Sequence, residues 1–506
     1  MTSEALAPSR PLIRPDTAEA LVLFGVAILA VVVSVSAFAV STIFGVAATF
    51  VLTLVLAIVM PAGIPLLIAT SFVLQNTVVA WYTPYIGDVD TFDAMRSSNF
   101  IIVMTAFAAF LAAAFQAHIR SIAPLRPWLI GGIALCGLVT LYFALGAIAG
   151  DPKDAVVYFR NILTPIACFY IAIIAASVYR IDLTRTLTWL AALAIVYGYC
   201  ELTFRMEFLG LFNGDDYVQQ SLWKQILDGT WEKTLEETGF VLRGIDDVMM
   251  TNFFNLSIFA DLPMVFRVGG PSFHPIAFAY LLSIVSAWLL FQRRWFIPLF
   301  ALPLLVIVGS KGAMVLLLMA ICARIGIAMF GVRPAMILTV IGGILWVGAS
   351  IVFGMDSGDY HVLGFFAGVR DFLGGPQGVG LGIGGNLSST ALNINWQQAQ
   401  ETGAAEFPME SAIGVLLYQM GVAAFAFLGF VGAVGWAAYD IWRRTGHTAI
   451  LWLTVATIVI SANAVLQEEA YFSPLALGLA LLLGGVGLGS YWNPRLQFDH
   501  AGRFHA

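Results

Sequence analysis

The chain has 506 residues, 60% of them apolar and only 11% charged, with a mean hydropathy of +0.89 and a net charge of −6. Soluble proteins carry about 25% charged residues; this composition excludes an ordinary water-soluble protein and makes lipid the solvent for much of the chain. The acidic balance, with no Lys/Arg block, argues against a nucleic-acid partner.

A spanning helix needs about 20 mostly apolar residues. In chain order such runs lie near Ala20–Val40, Thr42–Met60, Ala62–Trp81, Phe100–His118, Pro127–Ala149, Ala155–Tyr179 and Leu187–Phe204. They continue at Pro275–Phe291, Trp295–Val308, Ala313–Phe330, Pro334–Phe353, Ser411–Tyr439, Thr448–Leu466 and Pro474–Ser490. The expected fold is therefore an all-α polytopic membrane protein of about 14 transmembrane helices, or 12 to 14 given the short ninth run and the tightly spaced first three. Its parts are a tail (1–19), helices 1–7 (20–204), a partly helical loop (205–274), helices 8–11 (275–354), a second long loop (355–410), helices 12–14 (411–490) and a tail (491–506). The polar start Met1–Glu19 runs into a full-length apolar span rather than a short signal-type core. Cys136, Cys168, Cys200 and Cys322 all fall inside apolar runs and read as core residues, not as a disulfide or metal set.

Positive residues favour the cytoplasmic side. With a cytoplasmic N-terminus, the inner segments hold 14 of the 24 basic residues and only 6 of the 30 acids, giving +8 inside and −14 outside. The even count returns the C-terminus to the cytoplasm and puts both long loops outside. The first loop reads as helical around Tyr217–Leu227 and Trp231–Gly239, and Phe253–Phe266 is apolar enough for the interface. The second carries the glycine-rich run Gly374–Asn386, read as a tight loop whose backbone approaches another segment or a ligand. No GxxxxGK[ST] motif and no domain large enough for an ATPase is present.

Chemistry is expected on the outer side, where charges are unusual. Arg160 falls inside an apolar span, at a cost of about 2.5–3.5 kcal/mol on insertion scales; it either has a function or snorkels to the headgroups. Arg267 precedes Gly269-Gly270-Pro271-Ser272-Phe273-His274-Pro275, where Pro275 suits a first helical turn and His274 or Ser272 its cap. A helix start beside an arginine is an anion site; the plainer reading pairs Arg267 with Asp261. Lys311 and Arg370 are further candidate phosphate-binding cations, equally readable as solvated loop charges. Glu410, just before an apolar run, is a candidate general base or a simple helix cap. Glu406, the Glu468–Glu469 pair, His274 and His361 are secondary candidates, and the outer histidines are too few for a metal site. Asp88, Asp90 and Asp93 read as a solvated acidic loop more readily than as a cation site.

The block Arg267-Val-Gly-Gly-Pro-Ser-Phe-His-Pro, then Gly309-Ser-Lys-Gly-Ala, then Pro376-Gln-Gly-Val-Gly-Leu-Gly, and finally Glu410-Ser411 followed after nine residues by Gly421, resembles the bacterial O-antigen ligase/polymerase superfamily. The resemblance spans about Arg160 to Gly421. It implies a GT-C-type glycosyltransferase of the bacterial inner membrane, acting on the periplasmic side. The implied substrates are undecaprenyl-pyrophosphate-linked glycans as donor and acceptor, with no cofactor and no metal. Flippase and chain-length regulator proteins are the implied partners. Arg160, Arg267 and Arg370 match the family's pyrophosphate-gripping arginines by position. Where ligases carry a histidine this chain has Glu410, which favours a Wzy-like polysaccharide polymerase producing O-antigen, capsule or exopolysaccharide. The alternatives are a ligase acting on lipid A core or protein, and a transporter or flippase for a lipid or anionic solute.

Overall fold

A computed structural model describes residues 15–116, 122–227, 232, 249–252, 264–389 and 396–493. Helices occupy the apolar runs in order: α1 (Pro15–Phe38), α2 (Thr42–Val59), α3 (Ile64–Tyr82), then α4 (Val89–Arg96) and α5 (Ser98–Ala114), which meet at a 42° bend. Next come α6 (Leu125–Ala149), α7 (Pro152–Val178), α8 (Thr184–Gly210) and α9 (Gly214–Leu227). A two-residue antiparallel pair, β1 (Met250–Thr251) with β2 (Val265–Phe266), leads to α10 (Pro275–Phe291), α11 (Phe296–Val308), α12 (Lys311–Phe330) and α13 (Val332–Ser357). The chain continues through α14 (Tyr360–Gly374), α15 (Trp396–Thr402), α16 (Ala412–Met420), α17 (Ala424–Thr445), α18 (Leu451–Ala464), α19 (Glu469–Phe472) and α20 (Leu479–Trp492).

Among the described residues, ten helical segments are long and apolar enough to cross a membrane, or eleven if α4 and α5 form one bent span. The expected eighth, ninth and thirteenth runs form shorter apolar helices, Pro275–Phe291, Phe296–Val308 and Thr448–Ala464. The protein is an all-α, multi-pass membrane protein. Its outward faces carry bare aliphatic side chains such as Ile43, Ile58, Ile148 and Ile344, which water would penalise and lipid accepts. The four cysteines are free.

α7 is the axis of the bundle. Its residues from Asn161 to Ser177 are buried without interruption. α20 lies against it along Gly485 and Gly489, where a Cβ would run into the carbonyls of Phe169 and Ile173. Glycines in such a seam let two helix backbones approach closely, which is how packing replaces the hydrophobic drive inside lipid.

Three expected elements differ in detail. The seventh span runs on to Gly210, interrupted at Arg205, whose backbone leaves the helical region at φ 44°, ψ −115°. The twelfth breaks into α16 and α17 at Gly421, whose φ of 53° and ψ of −133° no other residue adopts cheaply. In the first loop, the helix expected at Tyr217–Leu227 is α9; the segments Trp231–Gly239 and Phe253–Phe266 lie outside the described residues except for Glu232 and Met264–Phe266.

Candidate functional site: a polar cavity at the loop end of the bundle

α3, α4, α5 and the N-terminal half of α7 surround a cavity of about 1390 Å³. Its mouth is lined by Asp88, Asp90, Asp93, Arg96, Asp151, Lys153 and Asp154; its wall by Gln75, Asn76, Asn99, Arg160 and Asn161. A smaller chamber of about 240 Å³ shares Gln75, Asn76, Asn99, Arg160 and Asn161 with it and adds Ser272, His274, Asn386, Glu468 and Glu469. The two form one polar recess inside an apolar bundle.

Side chains at the mouth are held by local bonds. Asp88 caps α4 by accepting the Thr91 amide at 2.7 Å, and Asp93 pairs with Arg96 at 3.6 Å. Asp154 accepts from the Ser389 amide at 2.8 Å and from the Ser388 hydroxyl at 3.2 Å, tying the second loop to α7. Deeper, the Gln75 amide donates to the Arg96 carbonyl at 2.5 Å and accepts from the Asn99 amide at 2.7 Å, which joins α3 to the bend between α4 and α5. Arg160 lines both chambers, and its guanidinium makes no hydrogen bond or ion pair with another described residue. The charges that act on it are Arg96 and Asp93 at the mouth.

The loop before α10 is built by a residue that the apolar pattern hides. Glu201 lies in α8, fully buried, and its two carboxylate oxygens accept the amides of Gly269 and Gly270 at 2.8 Å each. Asn76 and Thr77 of α3 donate to the carbonyls of Ser272 and Pro271 at 2.7 and 2.6 Å. Phe273 is left at φ 52°, and His274 becomes the N-cap of α10, its Nδ1 accepting the Ala277 amide at 3.2 Å. His274 rather than Ser272 is thus the cap. With Nδ1 occupied as an acceptor, the proton of the neutral ring sits on Nε2. The ring opens onto the recess while protein surrounds it, and this enclosure, with Arg267 and Arg96 nearby, pushes its pKa down to about 4. Arg267 donates through Nε to the Val308 carbonyl at 3.2 Å, leaving its terminal nitrogens without partners among the described residues. Burial works against its charge and Glu469 works for it. Asp261, its alternative partner, lies outside the described residues.

The glycine-rich run is a strap between α6, α7 and α16. Val379 and Gly380 donate to the carbonyls of Tyr418 and Gln419, Leu381 donates to that of Tyr142, and Val422 donates back to Pro376. At Gly380 (φ 106°) and Gly382 (φ 88°) a side chain would collide with the backbones of Gly146 and Ala155. The strap approaches protein backbone, which accounts for its glycines. It ends at the recess, where the Asn386 amide donates to Glu468 Oε2 at 3.2 Å and the Leu387 amide to the Tyr158 hydroxyl at 3.1 Å. Tyr158 in turn donates to Glu468 Oε1 at 2.6 Å. Burial, chiefly, raises the Glu468 pKa to about 8, and the carboxylates of Glu410 and Glu469 add to the effect.

Glu410 is not the cap of α16. Ser411 is, its hydroxyl accepting the Gly414 amide at 3.0 Å. Glu410 stands one residue earlier at φ 58°, a conformation that costs a non-glycine residue roughly 1–3 kcal/mol and persists at functional sites. Its Oε2 lies 3.8 Å from His361 Nδ1, and burial together with Asp359 raises its pKa. Glu410 does not itself line the recess; it stands behind Glu468 and Glu469, near enough to act on both. Lys311 opens α12 and feels Asp359. The adjoining Gly312 carbonyl accepts from Asn463 at 2.8 Å, and a side chain at Gly312 would run into Gln467, so that turn sits against the end of α18 and Gln467.

Two candidates stand apart. Arg370 on α14 is taken up by Asp371 at 2.7 Å and by the carbonyls of Ala405 and Glu406 at 3.0 and 2.8 Å, and it does not line the recess. Its pKa is raised, first by that bond to Asp371. Glu406 is exposed beside it. The expected set therefore divides: Arg160 and His274 line the recess with Glu468 and Glu469, Arg267 and Glu410 stand directly behind, Lys311 and His361 flank Glu410 and Asp359, and Arg370 and Glu406 brace the loop. Glu201 and Tyr158 are structural supports whose only sequence signal is a polar group within an apolar run, which must find a partner in the bundle. No group of three or more His, Cys, Asp or Glu side chains among the described residues is arranged to hold a metal ion.

Comparison with protein-family models, with curated proteins and with solved structures returns no match.

Proposed function

We propose that this protein is a membrane glycosyltransferase of the polysaccharide-polymerase type. In this reading it has a GT-C-like fold of 14 spans and sits in a bacterial inner membrane with both termini cytoplasmic. It joins undecaprenyl-pyrophosphate-linked oligosaccharide repeats on the periplasmic face, without a metal ion, and meets flippase and chain-length regulator proteins there.

One observation carries the reading: a polar recess of saccharide size, at the end of the bundle bearing both long loops, lined at its base by Arg160 and Glu469 with Arg267 and Glu410 behind them. Amide and carboxylate side chains such as Gln75, Asn99, Asn161 and Asp90 are the groups that hydrogen-bond sugar hydroxyls. The leaving pyrophosphate is the greatest charge that the reaction develops, and arginine forks are suited to hold it. In the transfer, a hydroxyl oxygen of the acceptor bonds to the anomeric carbon of the donor, and the bond from that carbon to phosphate oxygen breaks with its electron pair. A transporter reading is less favoured, because solute sites of transporters lie near the midplane at broken helices, whereas this recess is at one end.

The test is Arg267→Ala in membranes supplied with lipid-linked repeats. Single repeats accumulate and polymer disappears at normal protein abundance; a wild-type chain-length distribution sinks the pyrophosphate clamp. Long lipid-linked chains accumulating in cells lacking the protein would instead mean a ligase.

A further inference from the structure

Three carboxylates gather at the base of the recess, and two are already committed. Glu468 is fully buried and bonded to Tyr158 and the Asn386 amide, so it holds the strap in place. Glu410 faces His361 and Asp359 and does not line the recess. Glu469 differs from both. Its side chain lines the inner chamber together with Arg160 and His274, and it makes no ion pair and no side-chain hydrogen bond with another described residue. His274 cannot take a proton from substrate, because its Nδ1 is occupied by the Ala277 amide and its Nε2 already carries a proton. The groups that act on Glu469 are Glu410 and Glu468 on the acidic side and Arg267 and His361 on the basic side, with the Tyr280 hydroxyl on α10 also within its field.

We propose that Glu469 is the catalytic base of this recess, in place of Glu410. The proposal rests on the glycosyl-transfer reading above. The acceptor O–H bond breaks, and the proton passes to a Glu469 carboxylate oxygen. The freed oxygen pair forms the new bond to the anomeric carbon. The old bond to phosphate breaks with its pair staying on the pyrophosphate, held by Arg160 on the recess lining with the charge of Arg267 behind it. The proton then leaves to water as the products depart, restoring the carboxylate. Glu410 becomes a positioning residue: burial keeps the Glu469 carboxylate basic, and the Glu410 charge placed behind it adds to that effect.

The experiment uses the full-length protein in liposomes with a synthetic undecaprenyl-pyrophosphate-linked repeat, following conversion to dimers and longer products from pH 5 to 9. Glu469→Gln is expected to lower kcat by about 10²–10⁴-fold, the usual contribution of general acid–base catalysis, with KM little changed. Glu469→Asp retains measurable turnover and moves the acid limb of the pH profile. Glu410→Gln keeps more turnover than Glu469→Gln and moves that same limb to lower pH. Wild-type turnover in Glu469→Gln, alongside an inactive Arg267→Ala, overturns the proposal and leaves the glycosyl-transfer reading standing. An inactive Glu469→Gln that elutes as an aggregate, with Glu469→Asp active on an unshifted pH profile, also overturns it, by making Glu469 structural. A wild-type protein that never elongates the repeat ends the parent reading instead.

Discussion

The two halves of α7 put opposite chemistry on one helix. From Asp154 to Thr164 the helix carries Arg160, Asn161 and Tyr158 and forms the wall of the recess. From Ile166 to Ala176 it is apolar, fully buried, and seated on the glycines of α20. Lipid offers no partner for a polar group, so the polar half exists only because the strap, the loop before α10 and the segment around Glu468 supply partners or a cavity. The apolar half needs nothing but close fit. In this protein packing and chemistry are therefore separable along a single helix, and each should fail in its own way.

The sharpest way to break that separation is at the seam. Gly485→Leu forces a branched side chain into the Phe169 carbonyl; overpacking typically costs 1–3 kcal/mol and more where backbone is struck. Loss of the monodisperse protein on gel filtration in detergent is expected, and a normal elution profile would mean the seam is loose. Arg160→Ala, on the polar half, should do the reverse. Polymerisation falls by about 10²–10³-fold, the scale of removing one charge-stabilising donor, while the melting temperature holds; a large drop in melting temperature would merge the two halves.

Glu468 makes the polar half sensitive to pH. Its pKa is raised to about 8 from an ordinary value of 4.5. Between those values the folded protein keeps a proton that the unfolded chain releases, so stability declines as pH rises from about 5 to 8. Glu468→Gln removes that titration, and its melting temperature should fall less across the window, Glu410 and Glu469 leaving a residual slope. An unchanged slope would show that Glu468 is not protonated. The smallest effect is expected at Ser411→Ala, where losing the cap on α16 costs about 1 kcal/mol. A modestly lower melting temperature with retained turnover checks it.

Much of this was legible in the chain. Lipid as solvent and the positions of the helices follow from apolar runs, because a backbone in hydrocarbon must bond to itself and helix is the local way to do so. Arg160, Arg267, His274 and Glu410 stand out individually for a similar reason: charge and capping groups beside apolar runs are costly or orienting wherever they lie. Neighbourhood was not legible. That Glu201 would clamp Gly269 and Gly270 from 68 and 69 residues away, or that Glu469 rather than Glu410 would face the recess, depends on helix rotation and packing, which no spacing encodes. Arg370 shows the converse, a cation that reads as a ligand-binding group until the loop carbonyls of Ala405 and Glu406 take it up. Solvent, elements and the inventory of costly groups follow from the chain alone, because those are free energies of single residues and short runs. Which of those groups share a cavity is a property of the fold, because contact between distant segments is settled by the joint packing of the whole bundle.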